Sequence, residues 1–416
     1  MGNKMKICIV IHSYPFFAGD WRSNFIASLA EAYADIGNEL TVFTPFFSGE
    51  RRKIGESDKV KIIEYRYLPF ESMHLIGYGN SMKGDINVSK RTVLLTPFLL
   101  IAGIIKLAGL IKRDKYDFIH CHWAVPNTLI AIGARWLARS DAKILTSFPG
   151  SDVTVISNTG ILGRLLAHII AKSDYMSCNS SDLKEELVKS GIKPEKIDYV
   201  IYGVNNYTVH FSAEKRAAIR KKLCIEDDTI LLLMIGRFIP KKGFSTAFRA
   251  LKLIVKKNAN VKLAVIGDGE MKSQYESILK QDHTTNYALF MGYVNKDELM
   301  DYYSACDIFL MPSEKKPADG LNTVVPEAMA CGRPIVASNA GGNDLVVFDG
   351  LNGFLHSEGD YEQLAVLVNR LVEDECLRID MGKKSLELVK EKFNWQAIAK
   401  YYIEKYKGLY GKTDRS

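Results

Sequence analysis

The sequence has no cysteine pattern that would indicate a zinc site or a disulfide-stabilised secreted domain. Its seven cysteines are scattered, with no C-x-x-C pair and no histidines at zinc-ligand spacing. Most of them lie in apolar runs, which is typical of small buried side chains in a reducing compartment. The apolar run after the basic N-terminus, residues 7–11, is shorter than the hydrophobic region of a signal sequence. We therefore expect a cytoplasmic protein.

Runs of like charge are also missing. No lysine- and arginine-rich segment is interleaved with aromatic residues, so nucleic acid is not an expected partner. The net charge of +7 is a mild excess that suits phosphorylated ligands or anionic lipid surfaces. Hydrophobic residues make up 47% and charged residues 25% of the chain, which is typical of folded soluble proteins. A chain of 416 residues is too long for a single core, so two domains are expected.

Short apolar runs alternate with helical patterns along the whole chain. The first series starts at KICIVIHSY and ends at KIDYVIYG; the pattern lapses near residue 205 and restarts at TILLLMIGR. Such alternation predicts parallel sheets with helices on both faces. The predicted fold class is therefore α/β, with two tandem Rossmann-like, doubly wound domains facing a cleft. In such sheets ligands bind beyond the carboxyl ends of the strands.

One apolar stretch, residues 93–111, approaches the length that crosses a bilayer. A crossing would separate the strands before residue 90 from the strand YDFIHCH and split one parallel sheet, so we reject it. A buried domain helix and a helix partly inserted into a membrane surface both remain open. A helix of the second kind would bring four basic residues to anionic headgroups: Lys106, Lys112, Arg113 and Lys115.

The stretch PADGLNTVVPEAMACGRP, residues 317–334, places two carboxylates around a turn and a helix start. Pro326 is expected at the first helical position, with Glu327 at the positive end of the helix dipole. A glycine-containing turn before a helix can bind phosphate through backbone N–H groups, and a nearby carboxylate can bind sugar hydroxyls. An ordinary turn at Gly320 with a purely structural Glu327 remains the alternative.

A second candidate, GRFIPKKG at residues 236–243, directly follows the first strand of the second domain. Arg237 and Lys242 offer a bidentate guanidinium and a point charge, which together suit a diphosphate. A solvated basic turn is the alternative. The segment GDGE, residues 267–270, ends the next strand in a similar way but is weak evidence by itself.

Together these residues resemble the retaining GT-B glycosyltransferases of group 1, also called family 4. The family signature is an acidic residue, seven residues, and a glutamate that opens E-A-M-A-x-G-x-P; Asp319 and Glu327 stand at its two acidic positions. Arg237 and Lys242 match the family's G-R-x-x-x-x-K-G segment. The resemblance covers essentially the whole chain. It implies an N-terminal acceptor-binding domain 1–205, a nucleotide-sugar-binding domain 206–394, and a final helix, 395–412, that packs back on the first domain.

The resemblance also implies roles for individual residues. Glu327 would bind the donor's ribose, the turn 320–323 its phosphates, and the segment MGYV its nucleobase. The implied catalytic residues are Arg237, Lys242, Asp319 and Asp152. The implied donor-binding residues are Gly19, Gly236, Gly267, Tyr293, Val294, Gly320, Leu321, Asn322, Thr323 and Glu327. Acceptor contacts are expected from His122, Pro149 and Ser151; for His122, and for His120 beside it, a structural role is the alternative.

The implied reaction is transfer of a sugar from a nucleoside diphosphate sugar to a hydroxyl of a glycan or lipid-linked acceptor, with retention of the anomeric configuration. The implied pathway is surface polysaccharide or glycolipid biosynthesis. UDP is favoured over GDP. Because the chain has no D-x-D motif, we expect no metal ion. No cofactor is expected either. Peripheral contact with an anionic membrane at its cytoplasmic face is a further expectation. Two alternatives remain: a catalytically degenerate binding partner of another transferase, and a nucleotide-sugar 2-epimerase.

Three departures from the family pattern bear on these roles. Asp319 stands where glutamate is commoner, so its reach toward the transferred sugar is shorter. In the stretch SFPGSD, Pro149 replaces the usual histidine and can donate neither a hydrogen bond nor a proton. Near the N-terminus, Gly19 stands alone where a Gly-Gly pair is frequent. The second departure is the best support for a degenerate partner.

Overall fold

The computed structural model describes residues 4–16, 20, 23–47, 59–76, 82–83, 87–88, 90–205 and 209–410. It divides into two compact units. Unit 1 comprises Met1–Asn179, Leu183–Val200 and Trp395–Ser416; unit 2 comprises Ser180–Asp182 and Ile201–Asn394.

Most strands of both units are followed by a helix. The strands are β1 Lys6–Val10, β2 Glu39–Pro45, β3 Val60–Tyr65, β4 Met82–Lys83, β5 Asn87–Val88, β6 Phe118–His122, β7 Lys143–Phe148, β8 Tyr175–Cys178, β9 Ile197–Tyr199, β10 Ile230–Ile235, β11 Val261–Ile266, β12 Ala288–Gly292, β13 Ile308–Met311, β14 Ile335–Ser338 and β15 Gly353–His356. The α-helices are α1 Asn24–Asp35, α2 Lys90–Asp114, α3 Ala124–Ala138, α4 Ser151–Asn158, α5 Ile161–Ile170, α6 Ser181–Lys189, α7 Ala213–Lys222, α8 Phe244–Lys257, α9 Lys272–Gln281, α10 Lys296–Ala305, α11 Val324–Ala330, α12 Tyr361–Glu373, α13 Glu375–Glu391 and α14 Trp395–Tyr410.

Unit 1 contains a seven-stranded parallel sheet in the order β3-β2-β1-β6-β7-β8-β9. Successive residues of a strand point to opposite faces. Ile119 of β6 therefore packs with residues of α2 and α3, whereas Phe118 contacts Tyr33 of α1 and Tyr406 of α14. Helices cover both faces, which explains why the strands are almost entirely apolar.

Unit 2 contains a six-stranded parallel sheet in the order β12-β11-β10-β13-β14-β15. One core cluster of unit 2 joins α8 and α12 to this sheet, with Phe248 and Val368 packed together with Leu232, Val265 and Leu310. The central strand β10 is paired on both sides, so the loop after it lies beside the loops after β11 and β13. The predicted α/β fold class, with two helix-flanked parallel sheets, is confirmed.

Helix α2 contains the apolar stretch 93–111. By length and composition, Arg91–Asp114 could cross a membrane. Its most apolar 18-residue window has a mean hydropathy of 2.2, and 33% of that window is buried. One face of α2 packs on unit 1 and the other face is exposed, so α2 is a domain helix that is buried on one side only. The strands before and after it, β3 and β6, belong to one sheet.

Candidate functional site

The turn after β10 brings two lysines to the carboxyl end of the unit 2 sheet. Gly236 follows the strand, and Pro240–Lys242 form a single 3-10 turn that ends at Gly243. Gly243 has φ +68°, and a Cβ there would lie 1.7 Å from the carbonyl oxygen of Pro312. Only glycine can make this approach, because any larger residue would collide with the backbone after β13. The close approach holds the lysines beside the loop that carries Asp319.

Asp319 accepts hydrogen bonds from both lysines. Its Oδ2 lies 2.9 Å from Lys242 Nζ and 3.2 Å from Lys241 Nζ, and the two lysine side chains are only 11% exposed. Burial alone would raise the pKa of Asp319, but the charges of Lys242 and Lys241 outweigh it and leave that pKa below its usual value. Asp319 is therefore an anion held between two cations.

Lys242 is the centre of this cluster. Its ammonium group also bonds to Asn322 Oδ1, in the turn that is predicted to bind phosphate. Burial lowers the pKa of Lys242, and the neighbouring charges of Lys241 and Arg237 lower it further, while Asp319 opposes them. Arg237 itself is exposed at the end of β10. Three cations thus converge on one edge of the sheet, as an anionic ligand of more than one charge requires.

Helix α11 begins earlier than the sequence predicts. It starts at Val324, so Pro326 lies at the third helical position and not at the first. The missing N–H is harmless there, because the N–H groups of the first turn have no partner inside a helix. Val325 is fully buried and anchors the turn 320–323, in which Gly320 and Leu321 are buried and Thr323 is exposed. Since α11 has only 7 residues, its dipole is weak beside the lysine and arginine charges.

Glu327 lies in the first turn of α11, and its carboxylate accepts a hydrogen bond from a residue of α10. The hydroxyl of Tyr303, which is fully buried, donates a hydrogen bond of 2.8 Å to Glu327 Oε2. Burial raises the pKa of Glu327, while the charge of Lys296 and the bond from Tyr303 oppose the rise. Tyr303 therefore fixes the rotamer of Glu327 and favours its charged form.

The loops after β11 and β12 lie at the same carboxyl end of the unit 2 sheet. Gly267 has φ +143°, and a Cβ there would lie 1.9 Å from the carbonyl oxygen of Gly236. Its N–H donates to the carbonyl of Gly292, which brings the segment 291–294 alongside. Tyr293 is 75% exposed and Val294 is buried. An exposed aromatic ring beside a buried aliphatic residue is compatible with stacking of a flat base.

The structure thus gathers at one edge of unit 2 all of the predicted donor-binding residues except Gly19, which lies outside the described residues. Sequence reasoning missed Lys241, Lys296 and Tyr303. Lys241 is adjacent to Lys242 and could have been proposed from the Lys-Lys pair. For Tyr303 no sequence signal existed, since a tyrosine in a helical pattern is usually a core residue.

Asp152 lies in the first turn of α4 in unit 1 and is 3% exposed. Its Oδ2 accepts a hydrogen bond of 2.7 Å from the N–H of Ala124, and its Oδ1 one of 3.3 Å from the N–H of Gly150. Burial raises the pKa of Asp152 to about 6, against the lowering effect of these backbone donors. The carboxylate ties the turn after β7 to the start of α3. Its contact with acceptor or sugar stays a prediction, as do the acceptor roles of Pro149 and Ser151, which flank Gly150.

The two histidines of β6 are both fully buried. Through its ring nitrogens His120 bonds to the Tyr33 hydroxyl at 3.1 Å and to Ser147 Oγ at 2.9 Å, and Ser147 in turn bonds to Tyr402 of α14 at 3.1 Å. His120 is therefore a structural residue that connects α1 and α14 to the sheet.

His122 differs from His120, because neither of its ring nitrogens has a hydrogen-bond partner among the described residues. Burial lowers the pKa of His122 to about 3, so its ring is neutral at physiological pH. The described residues contain no group of three or more His, Cys, Asp or Glu side chains that could hold a metal ion.

Two family models match the chain. The model described as "Glycosyl transferases group 1" matches residues 215–388, and the one described as "Glycosyltransferase Family 4" matches residues 23–206. Together they cover most of both units.

Individual proteins are similar over most of their length. N-acetyl-alpha-D-glucosaminyl L-malate synthase of Bacillus anthracis is 28% identical over 325 residues, which span 78% of this chain and 83% of the relative. The lipopolysaccharide core biosynthesis glycosyltransferase LpsE of Rhizobium meliloti is 25% identical, over 91% of this chain and 94% of the relative. The crystal structure of Anabaena HepE in complex with UDP and glucose superposes with a TM-score of 0.68 at 19% identity, and covers 97% of this chain and 100% of HepE. This structural likeness shows a shared fold.

Proposed function

Because the chain belongs to the group 1 glycosyltransferases of family 4, we propose that it transfers a sugar, with retention of configuration, from a nucleoside diphosphate sugar to a hydroxyl of a glycan or lipid-linked acceptor. The cluster of Arg237, Lys241 and Lys242 at the strand ends of unit 2 carries this proposal. The two lysines are held by Asp319 in the turn after β10, where a diphosphate would be bound without rearrangement of the sheet.

The cations would also assist the chemical step. The bond between the anomeric carbon and the diphosphate oxygen breaks with its electron pair going to the diphosphate, while the acceptor oxygen bonds to the carbon and its hydroxyl loses the proton. The leaving group therefore gains negative charge, which fixed positive groups stabilise more in the transition state than in the bound donor. Asp319, held by the same lysines, is proposed to face the transferred sugar.

UDP is the preferred nucleotide in this proposal, and a surface polysaccharide or glycolipid is the preferred product. The support for UDP is that the structurally similar HepE binds UDP and glucose. The support for the product is that LpsE, similar over nearly its whole length, is described as a glycosyltransferase of lipopolysaccharide core biosynthesis. The proposed location is the cytoplasm, at the inner face of the membrane, where lipid-linked acceptors and nucleotide sugars meet.

Incubation of the purified chain with UDP-, GDP- and ADP-sugars and a membrane extract tests the function, with released nucleotide as the readout. We expect release from a UDP-sugar that depends on the extract. Measurable nucleotide binding without release from any donor would support the degenerate binding partner instead. Conversion of the nucleotide sugar without an acceptor would support a 2-epimerase.

Excess EDTA is expected to leave the rate of nucleotide release unchanged. Where divalent ions assist such reactions they neutralise the leaving diphosphate, and here Arg237, Lys241 and Lys242 are proposed to do so. The measurement is the initial rate with EDTA, with EDTA plus excess Mg²⁺, and without either. A rate abolished by EDTA and restored by Mg²⁺ would overturn metal-independent transfer.

A further inference from the structure

Helix α2 has an apolar face that is exposed in the part of the chain that the structure describes. Leu94 is 72%, Phe98 51%, Ile101 59% and Ile105 61% exposed. Their spacings of three and four residues place them on one side of the helix. The opposite side, which includes Leu107, is buried against the sheet and α3. Soluble proteins rarely leave a row of large apolar side chains uncovered.

Basic residues stand at both ends of this face. Arg91 lies one turn before Leu94, while Lys112 and Arg113 lie in the last turn, and all three are exposed. The single acidic residue of α2, Asp114, bonds to Arg113 at 2.6 Å. An apolar centre flanked by cations is the pattern of a helix that lies flat in a membrane interface, with long basic side chains reaching the headgroups.

Two neighbouring helices of unit 1 also carry exposed apolar side chains. Helix α3 packs against both α2 and α5. On α3, Trp136 is 81% exposed, and on α5, Ile161 is 88% and Leu165 54% exposed. Arg164 is also exposed on α5. Tryptophan is enriched where proteins meet the headgroup region of a bilayer.

We propose that this docking surface, formed by the exposed faces of α2 and α5 together with Trp136, binds the surface of a bilayer that contains anionic phospholipids. Helix α2 then lies in the membrane plane and does not cross it, because β3 and β6 on either side of it belong to one sheet. The proposal concerns binding and is independent of whether the chain transfers sugar.

Charge favours a bilayer over a second copy of the chain as the occupant. In a two-fold pairing of α2 with its copy, antiparallel helices would bring Arg91 against Lys112 and Arg113. Parallel helices would pair each basic end with itself. Like charges would meet in both arrangements, whereas anionic headgroups attract both ends.

Sedimentation of the full-length chain with vesicles tests the proposal. We expect binding to vesicles of phosphatidylcholine mixed with phosphatidylglycerol, weaker binding at high salt, and little binding to phosphatidylcholine alone. The combined variant Leu94→Gln, Phe98→Gln and Ile101→Gln should bind about tenfold or more weakly, because three inserted apolar side chains are lost. The variant Lys112→Gln with Arg113→Gln should bind about tenfold more weakly and respond less to salt.

Matched controls come from unit 2. Val366 and Ile379 are 61% and 47% exposed, and Val366→Gln with Ile379→Gln should leave vesicle binding unchanged. Circular dichroism and nucleotide binding in solution report whether each variant is folded, separately from vesicle binding. No binding of the unchanged chain to anionic vesicles, or equal binding to neutral ones, would overturn the proposal. The proposal would also be overturned if the chain formed a concentration-dependent dimer, and if the combined Leu94→Gln, Phe98→Gln and Ile101→Gln variant lost this dimer but still bound vesicles.

Discussion

Replacement of Lys242 by alanine is expected to lower kcat for sugar transfer by about 10²–10³-fold. The ammonium group is nearly buried and bonds to Asp319 and Asn322, so it is already in place before a diphosphate arrives. A cation fixed in this way stabilises the leaving group without reorganisation in the transition state. The measurement is steady-state release of nucleotide with donor at saturation, which separates kcat from KM.

Two further variants make the Lys242→Ala result interpretable. Lys252→Ala removes an exposed lysine of α8 that pairs with Asp282 at the surface, and it should leave the rate unchanged. Lys241→Ala removes the second lysine bound to Asp319 and should lower the rate less, because Lys242 remains. Full activity in Lys242→Ala would refute the assignment of this cluster to the leaving group.

Glu327→Gln is expected to raise KM for the donor by about 10- to 100-fold, with a smaller change in kcat. A carboxylate accepts two strong hydrogen bonds from the vicinal hydroxyls of a ribose, and bonds to a charged acceptor are worth about 1.5–3 kcal/mol each. The amide of glutamine keeps the shape of the side chain but loses the charge. Isothermal titration with nucleoside diphosphate and with the free base would show that the loss requires the ribose. Unchanged affinity for the nucleoside diphosphate would contradict the role of Glu327.

Tyr303→Phe supplies a pH test of the same site. Burial raises the pKa of Glu327, and the hydrogen bond from Tyr303 lowers it, so donor affinity should fall as pH drops and Glu327 is protonated. Without the tyrosine hydroxyl that pKa rises further, and the loss of affinity should begin at a higher pH than in the unchanged chain. Tyr302→Phe, which removes the same atom from the adjacent residue, should not move the profile. If Tyr303 had only a structural role, Tyr303→Phe would change the free energy of unfolding but would not shift the pH dependence of donor affinity.

Part of the candidate site could be predicted from the sequence because its signals are local. The order of strand, glycine turn and helix places Arg237 and Lys242 after one strand and Glu327 after another, and parallel strands end at the same edge. The start of α11 was misplaced by two residues, because proline is tolerated throughout the first turn. For α2, composition left a core helix and an interfacial helix open, since hydrophobicity does not say which face has a neighbour.

The sequence by itself determined that the chain forms two helix-flanked parallel sheets, because the alternation of short apolar runs with helical patterns is repeated within each half. It also determined which motifs stand at the strand ends. Tertiary structure alone decided that Lys241 and Lys242 share Asp319, which is 77 positions from Lys242, and that Tyr303 orients Glu327. It also decided which side of α2 is exposed. These contacts join elements far apart in the chain, so they depend on how the elements pack and not on local residue patterns.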